Sequence, residues 1–282
     1  MAIATRVAAT RVPGAEVALV RFLTGIVVVA GAVALRRASL RPRRWGWLLA
    51  RGVFGGVAVM AYFACIEHLG VGLATLLNYT APVWSMLFGW WLLGERPRLV
   101  TVAALSLTLL GVVFVVAGSV GRIPAGAWTL VGVFSAIASG VAVTSIRAVR
   151  RRGPDGAVGE SSWTVFASFT VFGALVTLPA VIEPVGRWVT PTPAVWAVLL
   201  AVGGLSVAAQ LMMTNALEHL TAATTGVINQ LTVLVSMSAG LLFFHERVTG
   251  WALFGSVLTI SGVAWAVVAS ARTRAPLPPS GG

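Results

Sequence analysis

The fold is decided by a stretch that begins EHLGVGLATLLNYTAPVWSMLFGWWLLGER at residues 67–96 and continues to residue 118. A second copy occupies residues 218–269, at a constant offset of 151 residues and without a gap. The copies share charged, polar and small residues at equivalent positions: Glu67/Glu218, His68/His219, Asn78/Asn229, Ser85/Ser236, Gly89/Gly240, Glu95/Glu246, Arg96/Arg247, Thr108/Thr259 and Gly111/Gly262. Apolar composition alone would align Leu, Val and Ala by chance, but not these residue types in a chain with few charges. The sequence therefore contains an internal duplication.

Composition places the chain in a lipid bilayer. Hydrophobic residues make up 58% of the chain and charged residues only 10%, with a mean hydropathy of +0.93, whereas a soluble domain carries about 25% charged residues. The net charge of +12 comes from arginine, and the arginines are spread over several loops, so no nucleic-acid partner is expected. The single cysteine, Cys65, excludes a disulfide framework and a cysteine-rich metal site. We expect neither a metal nor a cofactor.

Nine apolar runs are each long enough to cross a hydrocarbon core of about 30 Å as a helix. They cover residues 15–35, 46–66, 72–93, 99–117, 125–146, 163–182, 194–215, 222–244 and 251–270. Residues 1–9 form a shorter apolar stub, and residues 1–6 align with residues 142–147 at the end of a later helix. We therefore expect a tenth helix, the first in the chain, that has lost its opening turns.

The arginines predict the orientation of the helices. Residues 36–44, 95–98 and 146–160 and the C-terminal tail fall on one side and carry 13 arginines, whereas the opposite side carries five. Short cytoplasmic loops are enriched in positive charge, so both ends of the chain are predicted to be cytoplasmic, in a multi-pass protein of the plasma membrane. With five helices per copy, the second copy enters the membrane in the opposite sense. We predict an all-α polytopic membrane protein, a ten-helix bundle of two inverted five-helix repeats with the first helix truncated.

The repeat also predicts the domain organisation. The first repeat covers residues 1–118, with an incomplete first helix, and the second covers residues 125–271. Residues 272–282 are rich in proline and glycine and are predicted to form a disordered tail.

A polar face recurs on equivalent helices of the two copies. Asn78, Ser85 and Gly89 are spaced so that they share one helix stripe, and Asn229, Ser236 and Gly240 repeat the spacing. These faces could line a central cavity, or their small and amide side chains could serve close helix packing and interhelical hydrogen bonds. The sequence leaves both interpretations open. The candidate cavity-lining residues are Asn78, Tyr79, Pro82, Trp84, Ser85, Gln210, Asn229, Gln230 and Ser236.

Charged residues within or beside the apolar runs allow two interpretations. Arg21 and Arg51 lie inside such runs, so each is either a functional residue or a side chain that extends to the interface. Glu95 and Glu246 fall in tight turns, where a carboxylate can accept bonds from the first amides of the next helix. The acidic residues lie near predicted helix ends or in loops, so the visible sequence has no carboxylate at mid-span to relay protons.

These features resemble the drug/metabolite transporter superfamily, and specifically its EamA-type transporters. The resemblance covers nearly the whole chain and is carried by Pro82 within a helix, by residues 93–96 (LGER), 110–112 (LGV), 245–247 (HER) and 261–263 (SGV), and by Arg21 in the second helix. It implies ten helices in two inverted halves and the export or exchange of small metabolites, such as amino acids or drugs, by alternating access from a central cavity. The chain departs from the pattern where Val233 replaces the second-half proline and where the first helix is short.

Two other classes of protein compete with the transporter. One is a membrane scaffold or receptor that does not transport. The other is an intramembrane enzyme, although no nucleophile, metal set or catalytic carboxylate pair is visible in the apolar runs. The sequence predicts a small-molecule substrate and a lipid environment, and it does not decide between a monomer and a homodimer.

Overall fold

The computed structural model describes residues 12–117, 126–151, 159–182, 188–232, 235 and 250–272. Within these ranges the regular elements are all helical. In a helix the backbone N–H and C=O groups bond to each other, so the segment needs no hydrogen-bond partner from the lipid, which offers none. The predicted fold class, an all-α polytopic membrane protein, is confirmed. The predicted first helix, the second half of the run at 222–244 and most of the tail lie outside the described residues.

The described residues form nine α-helices and one short 3₁₀ helix. The helices are α1 (Gly14–Ala34), α2 (Trp45–Asn78), α3 (Ala81–Leu93), α4 (Leu99–Ala117), α5 (Ala127–Arg150), α6 (Ser162–Thr177, continued by the 3₁₀ helix Leu178–Val181), α7 (Pro193–His219), α8 (Ala222–Asn229) and α9 (Gly250–Arg272). Among the described residues, five segments are long and apolar enough to span a membrane: Gly14–Ala34, Trp45–Gly70, Ala127–Arg150, Ser162–Val181 and Pro193–His219. Leu99–Val115 and Leu253–Ala269 are shorter apolar helices. Large apolar side chains such as Trp91 (77% exposed) and Leu99 (86% exposed) lie on the outer surface, as expected for a surface that contacts lipid.

Two glycines set helix boundaries through their backbone conformation. Gly70 has φ 79° and divides α2 at the turn predicted between residues 66 and 72. Gly94 has φ 67° and ends α3, where the amides of Gly94 and Glu95 bond to the carbonyls of Trp90 and Gly89. Both conformations are left-handed and favour glycine.

Three predicted helix ends are wrong, and the first is in α2, whose first segment continues past residue 66 to Gly70. Helix α5 continues past residue 146 to Arg150, and α7 continues past residue 215 to His219. The predicted ends followed hydrophobicity, but basic side chains in a last turn, such as Arg147, are favoured by the helix dipole. Glu218 and His219, which lie beyond the apolar run at 194–215, therefore belong to the last turn of α7.

The C-terminal helices of the two repeats pack against each other through equivalent residues. A Cβ atom added to Gly262 of α9 would lie 2.6 Å from Thr108 of α4, and one added to Gly111 of α4 would overlap the hydroxyl of Thr259 in α9. Thr108 matches Thr259, and Gly111 matches Gly262, so the contact is reciprocal. Small residues at these positions allow the two helix backbones to approach closely.

The arginine-rich segments meet on one side of the bundle. Arg44, which precedes α2, donates from Nη1 to the Ala148 carbonyl at 2.7 Å, and Arg151 donates to the Leu93 carbonyl at 3.0 Å. For these three segments the prediction of a shared side is confirmed. At the opposite end of the bundle, the amide of Gly14 in α1 donates to the Glu67 carboxylate of α2.

The main apolar core lies between α1, α2, α6 and α7. Its buried residues include Val17, Phe22, Phe63, Phe166 and Phe169, and the rings of Phe22 and Phe169 meet edge to face at 5.1 Å. Such aromatic pairs add stability beyond the area that they bury. This core surrounds the charged side chains of Arg21 and Arg51, described below.

Candidate functional site

The two repeats meet at equivalent residues. Helix α2 ends at Asn78, and α8 ends at Asn229, the matching position of the second copy. The residues that follow are Tyr79 and Gln230, and the Gln230 Nε2 group donates a 2.9 Å hydrogen bond to the Tyr79 carbonyl oxygen. A contact between equivalent residues places them beside the pseudo-two-fold axis of an inverted repeat. Gln230 is fully buried, and its Oε1 atom has no hydrogen-bond partner among the described residues.

The run predicted as one helix over residues 72–93 is divided, so the prediction of a continuous helix is wrong. Helix α2 stops at Asn78, and Pro82 lies in the first turn of α3. Proline has no N–H for the carbonyl four residues earlier, and its ring crowds that carbonyl. The chain passes the break through a tighter bond from the Thr80 amide to the Leu77 carbonyl at 3.1 Å.

Pro82 also packs directly against the second repeat. It is buried, and a Cβ atom added to Gly226 of α8 would lie 2.7 Å from the Pro82 Cβ atom. Only a glycine lets α8 approach this closely. We call Tyr79, Pro82, Gly226 and Gln230 the inter-repeat seam.

Trp84 and Ser85 lie one turn further along α3 and face α5. The absence of a side chain at Gly140 of α5 makes room for them, since a Cβ atom added there would lie only 2.5 Å from the Trp84 Cβ atom. The Ser85 hydroxyl is buried and donates to the Pro82 carbonyl at 3.0 Å, while the Thr144 hydroxyl donates to the Ser85 carbonyl at 3.3 Å. These residues thus combine close packing with polar contacts.

A cavity of about 160 Å³ extends from Ser85 to the arginine-rich side. Both repeats contribute to its wall, which is formed by Ser85, Met86, Gly89, Glu95, Arg96, Pro97, Arg98, Val100, Thr101, His219, Leu220, Thr221, Ala223, Thr224 and Ala269. Its inner end reaches the helix that carries Pro82, and its outer end lies among the charged loops. A solute that enters from this side would therefore approach the inter-repeat seam.

A second polar group is built from four helices inside the main apolar core. Arg21 of α1 donates from Nε to the Ser206 hydroxyl at 2.5 Å, and Arg51 of α2 donates from Nη2 to the Gln210 Oε1 atom at 2.7 Å. The Arg51 guanidinium carbon lies 3.9 Å from the centre of the Phe169 ring of α6. We call these five residues the arginine cluster. Arg21 and Arg51 are 8% and 4% exposed, so both are held inside the helix bundle.

On the arginine-rich side, one ion pair joins the two repeats and a second lies within the second repeat. Arg147 of α5 donates from Nε to Glu95 at 2.6 Å and from Nη1 to the carbonyls of Leu217 and Glu218 at 3.1 and 3.0 Å. Arg150 pairs with the Glu218 carboxylate. Glu95, predicted to bond to the amides of the next helix, forms an ion pair with a distant helix instead. Glu246, its equivalent, lies outside the described residues.

The chain matches a known protein family over most of its length. The sequence model of the EamA-like transporter family matches residues 1–117 and again residues 126–268. The chain belongs to this family. Its membership confirms the resemblance drawn from the sequence motifs and makes the protein a member of a family of membrane transporters.

Several relatives of this EamA-like protein are transporters. The pseudopaline exporter CntI of Pseudomonas aeruginosa is 27% identical over 95% of this chain and 89% of its own length. Solute carrier family 35 member G1 of Homo sapiens is 23% identical over 76% of this chain and 60% of its own length. A crystal structure with 22% identity has a TM-score of 0.77 and covers 97% of this chain and 93% of its own, which shows that the fold is shared.

The structure distributes the predicted site residues of this EamA-like protein over three places. Tyr79, Pro82 and Gln230 form the inter-repeat seam, Trp84 and Ser85 lie beside it, and Gln210 belongs to the arginine cluster. Asn78 is half-buried, whereas Asn229 is exposed and its Nδ2 group lies 3.8 Å from the Met213 sulfur. No hydrogen bond among the described residues joins the two asparagines. Ser236 lies outside the described residues.

Sequence reasoning missed two members of the arginine cluster. Ser206 and Phe169 were not among the candidates, although Ser206 precedes Gln210 by four residues and so lies one turn away on the same face of α7. That spacing could have identified Ser206. Phe169 gave no comparable signal, because it is one of several aromatic residues in an apolar run.

Proposed function

We propose that this protein is a secondary transporter that exports a small metabolite from the cytoplasm by alternating access of its two repeats. The observation that most directly supports the proposal is the inter-repeat seam. There Gln230 of one repeat bonds to its equivalent, Tyr79, of the other, and α2 and α8 end at matching residues. Interrupted helices at a repeat interface are typical of substrate sites in transporters with inverted repeats.

The position of the cavity supports loading from the cytoplasm. The 160 Å³ cavity is walled by both repeats and lies on the side that carries the arginine-rich segments, which the positive-inside rule assigns to the cytoplasm. The Pseudomonas aeruginosa relative is named as an exporter, in agreement with this direction. A solute entering here would lie between the elements that must move for the opposite side to open.

The residues proposed to line the substrate path are the nine candidates identified from the sequence. Tyr79 and Trp84 offer aromatic surfaces, and the amides of Asn78, Gln210, Asn229 and Gln230 offer hydrogen bonds. Pro82, Ser85 and Ser236 complete the set. Gln230 is the most informative, because its Oε1 atom is buried without a described hydrogen-bond partner and a buried polar atom is costly to leave unpaired.

The proposal is tested by comparing the metabolites released from cells that express the full chain, the Gln230→Leu variant or an empty vector. A metabolite enriched outside the cells is then loaded into proteoliposomes, and its release is measured. We expect release with the full chain and much slower release with Gln230→Leu. The stability of this variant should change little, because the lost bond to Tyr79 is offset by removal of the unpaired Oε1 atom.

Three results would contradict the proposal in whole or in part. If no metabolite is enriched by the full chain, or if an enriched metabolite does not leave loaded proteoliposomes, transport is refuted and the scaffold or receptor becomes the better interpretation. If the metabolite leaves equally fast through Gln230→Leu, the seam is not part of the path.

A further inference from the structure

The arginine cluster places two cations inside the membrane-spanning part of the protein. Arg21 is the eighth residue of α1, and Arg51 is the seventh residue of α2. Their side chains are buried and turn toward α7, where Ser206 and Gln210 accept their hydrogen bonds. An arginine that served only to anchor a helix would extend its long side chain to water. These two are held inside the bundle instead.

The two guanidinium groups lie close to each other. The guanidinium carbons are 5.7 Å (Arg21) and 3.9 Å (Arg51) from the centre of the same Phe169 ring, which places them within about 10 Å of each other. Like charges at this separation repel each other in a low-dielectric interior. An aromatic face compensates a buried cation only in part, and Ser206 and Gln210 are neutral. The cluster therefore carries an excess of positive charge.

The acidic side chains of the described residues are engaged elsewhere. Glu95 and Glu218 pair with arginines at the end of α5, and Glu160 accepts from the amides of Arg43 and Arg44. Glu16 and Glu67 accept from the backbone amides of Val189 and Gly14. Within the described part of the chain, no carboxylate pairs with Arg21 or Arg51. The Nε atom of Arg51 is also buried with no hydrogen-bond partner there.

We infer that Arg21 and Arg51 form a subsite for an oxyanion, and that the exported solute carries a carboxylate or a phosphate group. The inference depends on the proposed transport function and names the class of substrate. A guanidinium presents its N–H groups in a planar fork that matches both oxyanions. Ser206 and Gln210 each hold one guanidinium through a single bond, and the Arg51 Nε group, which has no partner among the described residues, is a donor that the solute can use. An acidic group bound here balances the positive charge of the cluster.

The first test measures binding of simple anions to the purified full chain. The midpoint of thermal unfolding is recorded by tryptophan fluorescence in succinate, in glycerol 3-phosphate, in the neutral succinamide and in chloride, at equal ionic strength. We expect succinate or glycerol 3-phosphate, but not succinamide, to raise the midpoint above that in chloride. The anion that raises the midpoint shows whether the subsite binds a carboxylate or a phosphate. Arg51→Gln should weaken binding about tenfold or more, as expected for loss of a charge-assisted hydrogen bond, whereas the exposed Arg37→Gln should bind normally.

A second variant places the missing negative charge in the protein itself. In Gln210→Glu a carboxylate replaces the amide that lies 2.7 Å from Arg51. This variant should raise the unfolding midpoint without ligand and abolish the response to anions, because the subsite is already neutralised. Asn215→Asp adds the same charge to an exposed position of α7 and should do neither.

The inference is overturned if neither anion raises the midpoint, or if Arg51→Gln responds to an anion as strongly as the unchanged chain. It is also overturned if Gln210→Glu lowers the ligand-free midpoint or still responds to anions, since the cluster would then be already balanced. Failure of transport gives a different result. If proteoliposomes release neutral solutes but no anions, the transport proposal stands and the subsite is refuted. If the protein binds anions but releases no solute, the subsite stands and transport is refuted.

Discussion

A methyl group added at the inter-repeat seam tests how closely the two repeats pack. In Gly226→Ala the new Cβ atom would lie 2.7 Å from the Pro82 Cβ atom and 3.1 Å from its Cα atom. Since unstrained carbon contacts are about 3.5–4.0 Å, α8 must move by roughly 1 Å. Overpacking of this kind costs about 1–3 kcal/mol, and alanine returns about 0.5–1 kcal/mol through its better helix propensity. The difference spans about 0–2.5 kcal/mol, and we expect a net destabilisation of about 1 kcal/mol.

The assay compares thermal unfolding of Gly226→Ala with that of Gly204→Ala. A Cβ atom at Gly204 of α7 would meet nothing within 4 Å, so this control gains helix propensity without strain and should unfold at the same temperature or slightly higher. Gly226→Ala should unfold at a lower temperature and should release solute from proteoliposomes more slowly. If Gly226→Ala is as stable as Gly204→Ala, the contact between Pro82 and α8 is not close, and the seam as described is refuted.

Three further outcomes are expected. Glu95→Gln neutralises the partner of Arg147 in a pair whose side chains are each 17% exposed; a double-mutant cycle with Arg147→Gln should give a coupling of about 1 kcal/mol, at the upper end of the range for exposed pairs because both side chains are largely buried, and zero coupling would exclude the ion pair. Asn78→Leu and Asn229→Leu should each slow transport while leaving stability nearly unchanged; a loss of about 1 kcal/mol with unaltered transport would instead identify interhelical hydrogen bonds. A cysteine at exposed Ser39 should react with a membrane-impermeant thiol reagent only from the cytoplasmic side, and labelling of intact cells from outside would reverse the orientation.

Properties that depend on local sequence were predictable. The length of each apolar run and the positions of the arginines follow directly from the order of residues, so the helical fold and the shared side of three arginine-rich segments could be predicted. The exact helix ends were harder to predict. Helices α5 and α7 extend beyond the apolar runs because Arg147 and Glu218 find partners there, and partners are a property of the folded chain.

The arginine cluster could not be predicted, because it depends on how each helix is rotated about its axis. Most of these helices are apolar on all sides, so the hydrophobic pattern does not indicate which face is buried. Arg21 and Arg51 were visible as charges inside apolar runs, but two accounts of them were equally good until the structure placed them against Ser206 and Gln210. The pairing of Asn78 with Asn229 was suggested by the repeat, and the structure leaves these two residues in different surroundings.

The reciprocal contact between α4 and α9 bears on how the chain evolved. If a single half once assembled with an inverted copy of itself, Thr108 and Gly111 met the same residues of that copy, as in any self-complementary interface. One substitution then changed both symmetry-related contacts at once, so few substitutions were tolerated at these positions. Gene duplication removed that restriction, because each half could mutate separately. The threonine and glycine pairs have stayed identical, whereas Tyr79 faces Gln230 and Pro82 corresponds to Val233, so the two halves now differ in sequence at the inter-repeat seam.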